Sequence, residues 1–144
     1  MTDAAALLPG PYPAPHLLTS HQPPALLVAE VLAVGAGGTA GRARLLNHDG
    51  LDLLQLAEGC AQTVACLMGH AQRVAGGAAA SGMLVGLKDV ALQRLAEPGE
   101  TIEVAAELSH ELGPFRLYTA RVTAADGTTL LTAELKTMAT GSAP

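Results

Sequence analysis

Glu58 and Gln62 stand four residues apart in an apolar stretch, and two histidines, His48 and His21, precede them along the chain. A carboxyl and an imidazole on either side of a small substrate can exchange protons with it, the minimum for general acid–base chemistry. Residues at i and i+4 share a helix face, so Gln62 can hold the Glu58 carboxyl, or a substrate hydroxyl, by a hydrogen bond. Glu58 falls two turns inside the stretch, where burial would favour a neutral, proton-carrying form near neutral pH. Gly50 marks the start of the stretch, and unpaired N–H groups at a helix N-terminus there would suit a carbonyl that gains negative charge. Gly59 weakens a helix by roughly 1 kcal/mol relative to Ala, which points to close approach by a neighbouring backbone or a bound chain.

These residues need a scaffold. From Leu51 to about Val74 the apolar positions Leu53, Leu56, Cys60, Val64 and Leu67 recur at steps of three and four, the signature of a long amphipathic helix, the only convincing one here. Asn47 or Asp49 is the expected cap, in an Asn47-His48-Asp49-Gly50 loop. Ahead of it, six of nine prolines lie in residues 1–24, which reads as an extended arm rather than a helix. Residues 25–34 form an apolar run that suits a strand covered on both faces, with a partner strand over 39–46. After the glycines Gly76, Gly77 and Gly82 the period becomes two: Ile102, Val104, Ala106 and Leu108 alternate with polar or small residues. Turn residues at Glu97-Pro98-Gly99, Leu112-Gly113-Pro114 and Ala125-Asp126-Gly127-Thr128 divide four antiparallel strands at about 82–94, 100–109, 115–124 and 129–138. The expected fold class is α+β, a curved antiparallel sheet wrapped around one long helix, in a single domain over 25–140. One helix covers one sheet face and leaves an edge, so pairing with a second chain is expected.

Composition narrows the function classes. The chain has 144 residues, 49% hydrophobic, 15% charged and 2% aromatic, with a net charge of −5. That composition supports one apolar core and argues against disorder and a two-domain cofactor enzyme. Without a basic cluster or aromatic platform, nucleic acid is a poor partner. No apolar run of spanning length escapes polar interruption, and Asp3 stands where a signal peptide would carry positive charge, so a cytoplasmic protein is expected. Cys60 and Cys66 would lie about 9 Å apart on the helix, beyond disulfide reach, and read as buried thiols in a reducing compartment. His16, His70 and His110 have no acidic or Cys partner at ligand spacing, so no metal site is expected. Gly35-Ala36-Gly37-Gly38 lacks the strand-to-helix setting of a dinucleotide site, and no serine sits in a nucleophile elbow, so no cofactor is called for.

Four segments carry a family resemblance: His21-Gln22-Pro23-Pro24-Ala25-Leu26-Leu27-Val28-Ala29-Glu30-Val31, Ala57-Glu58-Gly59-Cys60-Ala61-Gln62, Ser81-Gly82-Met83-Leu84-Val85-Gly86-Leu87-Lys88 and Gly113-Pro114-Phe115-Arg116-Leu117-Tyr118. In this order and spacing, over roughly residues 18–138, they resemble the hotdog-fold 3-hydroxyacyl-acyl-carrier-protein dehydratases, in particular the branch associated with aryl polyene assembly. The resemblance implies a lyase that removes water from 3-hydroxyacyl thioesters to give trans-2-enoyl thioesters. Its substrate would be an acyl-phosphopantetheine on acyl carrier protein, in a fatty-acid-like, polyketide or aryl polyene pathway, and the protein would be a homodimer or a heterodimer with another hotdog chain. Fatty-acid dehydratases carry their histidine fourteen residues before the helix acid, where this chain has Arg44. His48, ten residues before Glu58, is one candidate base, and His21 in the opening motif is the other. Gln62, Gly50 and Gly59 are the candidate substrate-binding positions.

Two rival readings use the same residues. A hotdog thioesterase would take His48 and Gly50 running into the helix as the setting for an activated water. A non-catalytic subunit would bind carrier protein or pair with an active dehydratase. Carrier proteins are acidic, so docking would fall on Arg42, Arg44, Lys88, Arg94, Arg116 or Arg121.

Overall fold

The computed structural model describes residues 7–20, 22, 25–76 and 81–140. Helix α1 (Pro15–Leu18) is followed by β1 (Val28–Val34), a 3-10 turn at Ala36–Gly38, β2 (Ala40–Leu45) and the long helix α2 (Leu53–Val74). Four strands complete the chain: β3 (Ser81–Leu92), β4 (Ile102–Leu112), β5 (Phe115–Ala124) and β6 (Thr129–Thr140). They form one antiparallel sheet in the order β1-β2-β4-β5-β6-β3. This is the expected curved sheet around a single long helix.

The core follows from the two periodicities. Leu56, Cys60, Val64 and Leu67 recur at helical spacing and are buried, and they meet the inward alternation of Ile102, Val104 and Ala106 on β4, Tyr118, Ala120 and Val122 on β5, and Leu131, Ala133 and Leu135 on β6. Tyr118 is buried with its hydroxyl donating to Gly38 O at 2.9 Å, which satisfies the one polar group that this aromatic brings inside.

Three expectations are corrected. Residues 28–34 form the edge strand β1, not a strand covered on both faces: Glu30 is exposed and lies 3.6 Å from Arg44. The arm is not wholly extended, because Pro15 sits at the first helical position, where its missing N–H is harmless, and one turn closes with Thr19 N–H donating to Pro15 O. That turn buries Leu18, whose carbonyl lies against Gly69 of α2. The cap of α2 is neither Asn47 nor Asp49 but Asp52, whose carboxylate accepts from Gln55 N–H at 2.8 Å while the Gln55 side chain accepts from Asp52 N–H at 3.0 Å. A reciprocal pair at this spacing satisfies two backbone donors at once, which a cap farther upstream cannot do.

The other edge is β3. Leu84, Val85, Leu87, Val90 and Leu92 are exposed on it, and Asp89 takes a left-handed φ of 52° where the pairing with β6 shifts between Lys88 and Ala91. A strand this apolar on both faces, with one free edge, is unfinished as a surface.

Candidate active site

Gln62 is completely buried, and its amide makes three hydrogen bonds that use both N–H donors and the oxygen. Oε1 accepts from the Leu27 N–H at 2.6 Å, while Nε2 donates to Ala25 O at 2.9 Å and to Glu58 Oε1 at 3.1 Å. The Leu27 N–H can only donate, so it fixes which end of the amide is oxygen and turns the NH2 group toward Glu58. Gln62 therefore ties the Glu58 carboxyl to the segment that leads into β1. The expected i, i+4 pair is present, with a second role that spacing alone does not show.

Glu58 itself departs from expectation. Its side chain is exposed in the single chain, so the burial expected to favour a neutral carboxyl is not supplied by this chain's described residues. Four helical residues advance about 400°, so Glu58 is rotated about 40° from Gln62 and leaves the covered face. Leu54, one turn earlier, is exposed as well, so the Glu58 side of α2 offers an open surface with an apolar neighbour.

His48 and Gly50 belong to a different piece of architecture. The Asn47 side chain donates to Glu97 O at 2.7 Å and Glu100 O at 2.9 Å, and Leu51 and Ala96 exchange backbone hydrogen bonds at 3.2 Å. Arg94 grips Glu100 through two bonds of 2.8 and 2.7 Å, which locks the 94–100 turn against this loop and holds the Glu100 carboxyl down to about 2. His48 is exposed at the loop tip. Gly50 has φ +87° and precedes the Asp52 cap by two residues, so it lies outside α2 and offers none of the helix's first-turn donors. Its conformation and the Ala96 carbonyl, 2.9 Å from where a Cβ would sit, explain the glycine. Gly59 faces the sheet: an added Cβ would fall 2.6 Å from Leu45 Cδ1, so the close approach there is to a core side chain.

His21 lies outside the described residues. Its neighbours Gln22 and Ala25 are described: Gln22 Nε2 donates to His16 O and Gln22 O accepts from Leu26 N–H. Ala25, which shares the Gln62 amide with Glu58, is four residues from His21, a span of at most about 14 Å.

The remaining candidates resolve simply. His16 and His110 are exposed, while His70 is buried at the edge of the Tyr12 ring, and burial together with Arg73 lowers its pKa. Cys60 and Cys66 are buried free thiols that burial pushes up to about 12. Among the described residues no group of His, Cys, Asp and Glu is arranged to hold a metal, and no helix is long and apolar enough to cross a membrane. Of the basic residues considered for docking, Arg42, Arg44, Arg94 and Arg116 pair with Glu103, Glu30, Glu100 and Glu111. The sequence reading missed the clamp from Asn47 to the 97–100 turn, which has no local signal. It also missed the Asp52 and Gln55 cap, which the Asp-x-x-Gln spacing does announce.

A six-stranded antiparallel sheet around one helix, with a carboxyl and amide on that helix turned toward the lead-in to the first strand, defines a hotdog protein. The profile of the ApeP-like family, described as ApeP dehydratase, matches residues 13–143, and the chain belongs to that family of dehydratases, the aryl polyene branch that its motifs resemble. Among solved structures it is similar to the dehydratase heterocomplex ApeI:P from Xenorhabdus doucetiae, with TM-score 0.80 and 20% identity over 92% of this chain and 94% of that one. The E. coli PaaI protein from the phenylacetic acid degradation operon follows at TM-score 0.64 and 11% identity, covering 78% and 79%. A hypothetical thioesterase with coenzyme A from Streptococcus pneumoniae TIGR4 gives 0.60 and 10%, covering 72% and 82%. No curated protein matches.

Proposed function

We propose that this dehydratase acts on 3-hydroxyacyl thioesters carried by acyl carrier protein, with Glu58 and His21 as its acid–base pair, in a site completed by a second hotdog chain. One group takes the C2 proton and the other protonates the C3 hydroxyl, which leaves as water while the C2–C3 double bond forms. The observation that carries this reading is the Gln62 amide, which aims its NH2 at Glu58 while bonded to Ala25 and Leu27. It favours His21 over His48, because it joins Glu58 to the segment next to His21, whereas His48 is exposed on a loop anchored to the 97–100 turn.

A partner chain supplies what the single chain lacks. A hotdog subunit laid along the free edge of β3 would continue the sheet and cover Leu84, Val85, Leu87, Val90 and Leu92. The similarity to a heterocomplex supports a different hotdog chain in that place. A partner that also covers the Glu58 side of α2 would exclude water from it and strengthen the electrostatic work of a carboxyl that is exposed in isolation.

The test incubates the full chain, alone and with a hotdog subunit from the same operon, with 3-hydroxyacyl and enoyl thioesters on carrier protein and on coenzyme A. Loss of 18 mass units from the hydroxyacyl substrate, abolished by E58Q and H21A and retained by H48A, is the expected result. Thiol release without water loss would make the protein a thioesterase. Unchanged turnover in E58Q would remove Glu58 from the chemistry and leave the chain as the supporting subunit of an active partner.

A further inference from the structure

The face of the sheet turned away from α2 carries a regular charge pattern. Register aligns Arg42 on β2, Ala105 on β4, Arg121 on β5 and Thr132 on β6 in one cross-strand row. The next row holds Ala40, Glu107, Thr119 and Glu134 on the same four strands. On these four strands a basic row thus runs beside an acidic one, which ends on β3 at Lys88 opposite Glu134, and on each of the four a charged side chain in one row lies next to Ala or Thr in the other. The two rows form the floor of a shallow cavity of about 800 Å³.

We propose that this face stacks on the same face of a second copy of the chain, related by a two-fold axis that lies midway between the two sheets and parallel to them, runs across the strands and passes between the two rows. That operation places each row over the other row of the second copy. Arg121 then lies over the second copy's threonine at position 119, flanked by the glutamates at 107 and 134, and Glu134 lies over the threonine at 132 beside the arginine at 121. On these four strands every long side chain meets a small one, and every charge lies beside the opposite sign. Sheets that stack face to face keep their strands within about 30° and lie about 10 Å apart, a gap that alternating large and small residues fill. Arg42 already pairs with Glu103 at 2.8 Å, whereas Arg121 enters no ion pair among the described residues. Arg121 is therefore the residue on which the contact turns. This surface is the outer face of the sheet, bordered by Lys88 and Asp89 of β3, whereas the hotdog partner lies along the free edge of that strand, so the contact joins whole hotdog pairs back to back, and its existence does not depend on the reaction the protein performs.

Light scattering on the eluting full-length protein, with its hotdog partner where one co-purifies, reads the outcome. The expected result is an assembly whose mass halves in R121E, falls likewise in T119W, is regained in part by R121E/E134R, and declines as salt is raised toward 1 M, where the screening length is about 3 Å. Circular dichroism confirms that each variant is folded, and T119W tests the surface without altering charge. A mass that stays the same in both R121E and T119W, whether the wild type is a single chain, a pair or larger, overturns the proposal.

Discussion

Gln62→Met tests the central connection directly. Met keeps the side-chain length and apolar volume but removes all three hydrogen bonds of the amide. The Leu27 N–H then loses its acceptor in a half-buried place, at about 1–3 kcal/mol. Ala25 is exposed, so water can replace its lost donor, and the Glu58 bond at the surface contributes about 1 kcal/mol or less. Together these give about 1–4 kcal/mol. A chain of this length moves by roughly 3 °C per kcal/mol, so thermal unfolding should fall by about 3–12 °C while the protein stays folded at 25 °C. Turnover should fall more than occupancy, because a carboxyl released from its donor is misplaced for proton transfer, and losses of about 100-fold are usual for such a group. Glu58→Gln is the control: its amide carbonyl still accepts from Gln62 Nε2, so stability stays within about 0.5 kcal/mol while the acid–base function is lost. Unfolding of Q62M within 2 °C of wild type would refute the assignment of the amide as the tie between α2 and the lead-in to β1.

Other consequences are simpler to read. Asp52→Ala removes the carboxylate half of the cap and leaves the residue-52 N–H able to donate to Gln55; it should cost about 1 kcal/mol, seen as a lower urea midpoint with an unchanged slope. Gly69→Ala drives a Cβ into the Leu18 carbonyl, so the arm must lift; limited proteolysis should cleave within residues 7–20 in this variant and spare the wild type. Arg94 holds the Glu100 carboxyl down to about 2 from its ordinary 4.5, so the stabilisation from this pair is complete above about pH 4.5 and is lost as pH falls toward 2. The stability gap between wild type and Arg94→Met should therefore close across that window, and a gap independent of pH would contradict the pairing. Cys60 and Cys66, pushed up to about 12 by burial, should resist a thiol reagent at pH 8 until the chain unfolds, when both react.

Some of this molecule could be read along the chain, because the determining forces are local. The three- and four-residue recurrence through Leu56, Cys60, Val64 and Leu67 needs only a helix's own geometry, and the alternation through Ile102, Val104 and Ala106 needs only a strand's. The Asp-Gly turn at Asp126 and Gly127 likewise follows from conformational freedom at one residue, where φ is +87°. Those features were enough to specify an α+β fold, a single long helix and the Glu58 and Gln62 pair. Two readings went astray for a shared reason: the strand at 28–34 and the cap of α2 depend on partners the local pattern does not name.

What only the folded chain decided is which groups meet across distance. Sequence spacing put Glu58 in an apolar helix, but exposure depends on where the 25–27 segment ends over that helix, and it stops at Gln62. Spacing does not show that the His48 loop is fastened to a turn fifty residues away while the 25–27 lead-in is fastened to α2. The rows of opposite charge on the outer face exist only through the register of β2, β4, β5 and β6, which nothing within a single strand records. Periodicity sorts residues into inside and outside because each element repeats its own geometry; adjacency between elements is set by packing and hydrogen bonding among distant segments, so it emerges only with the tertiary structure.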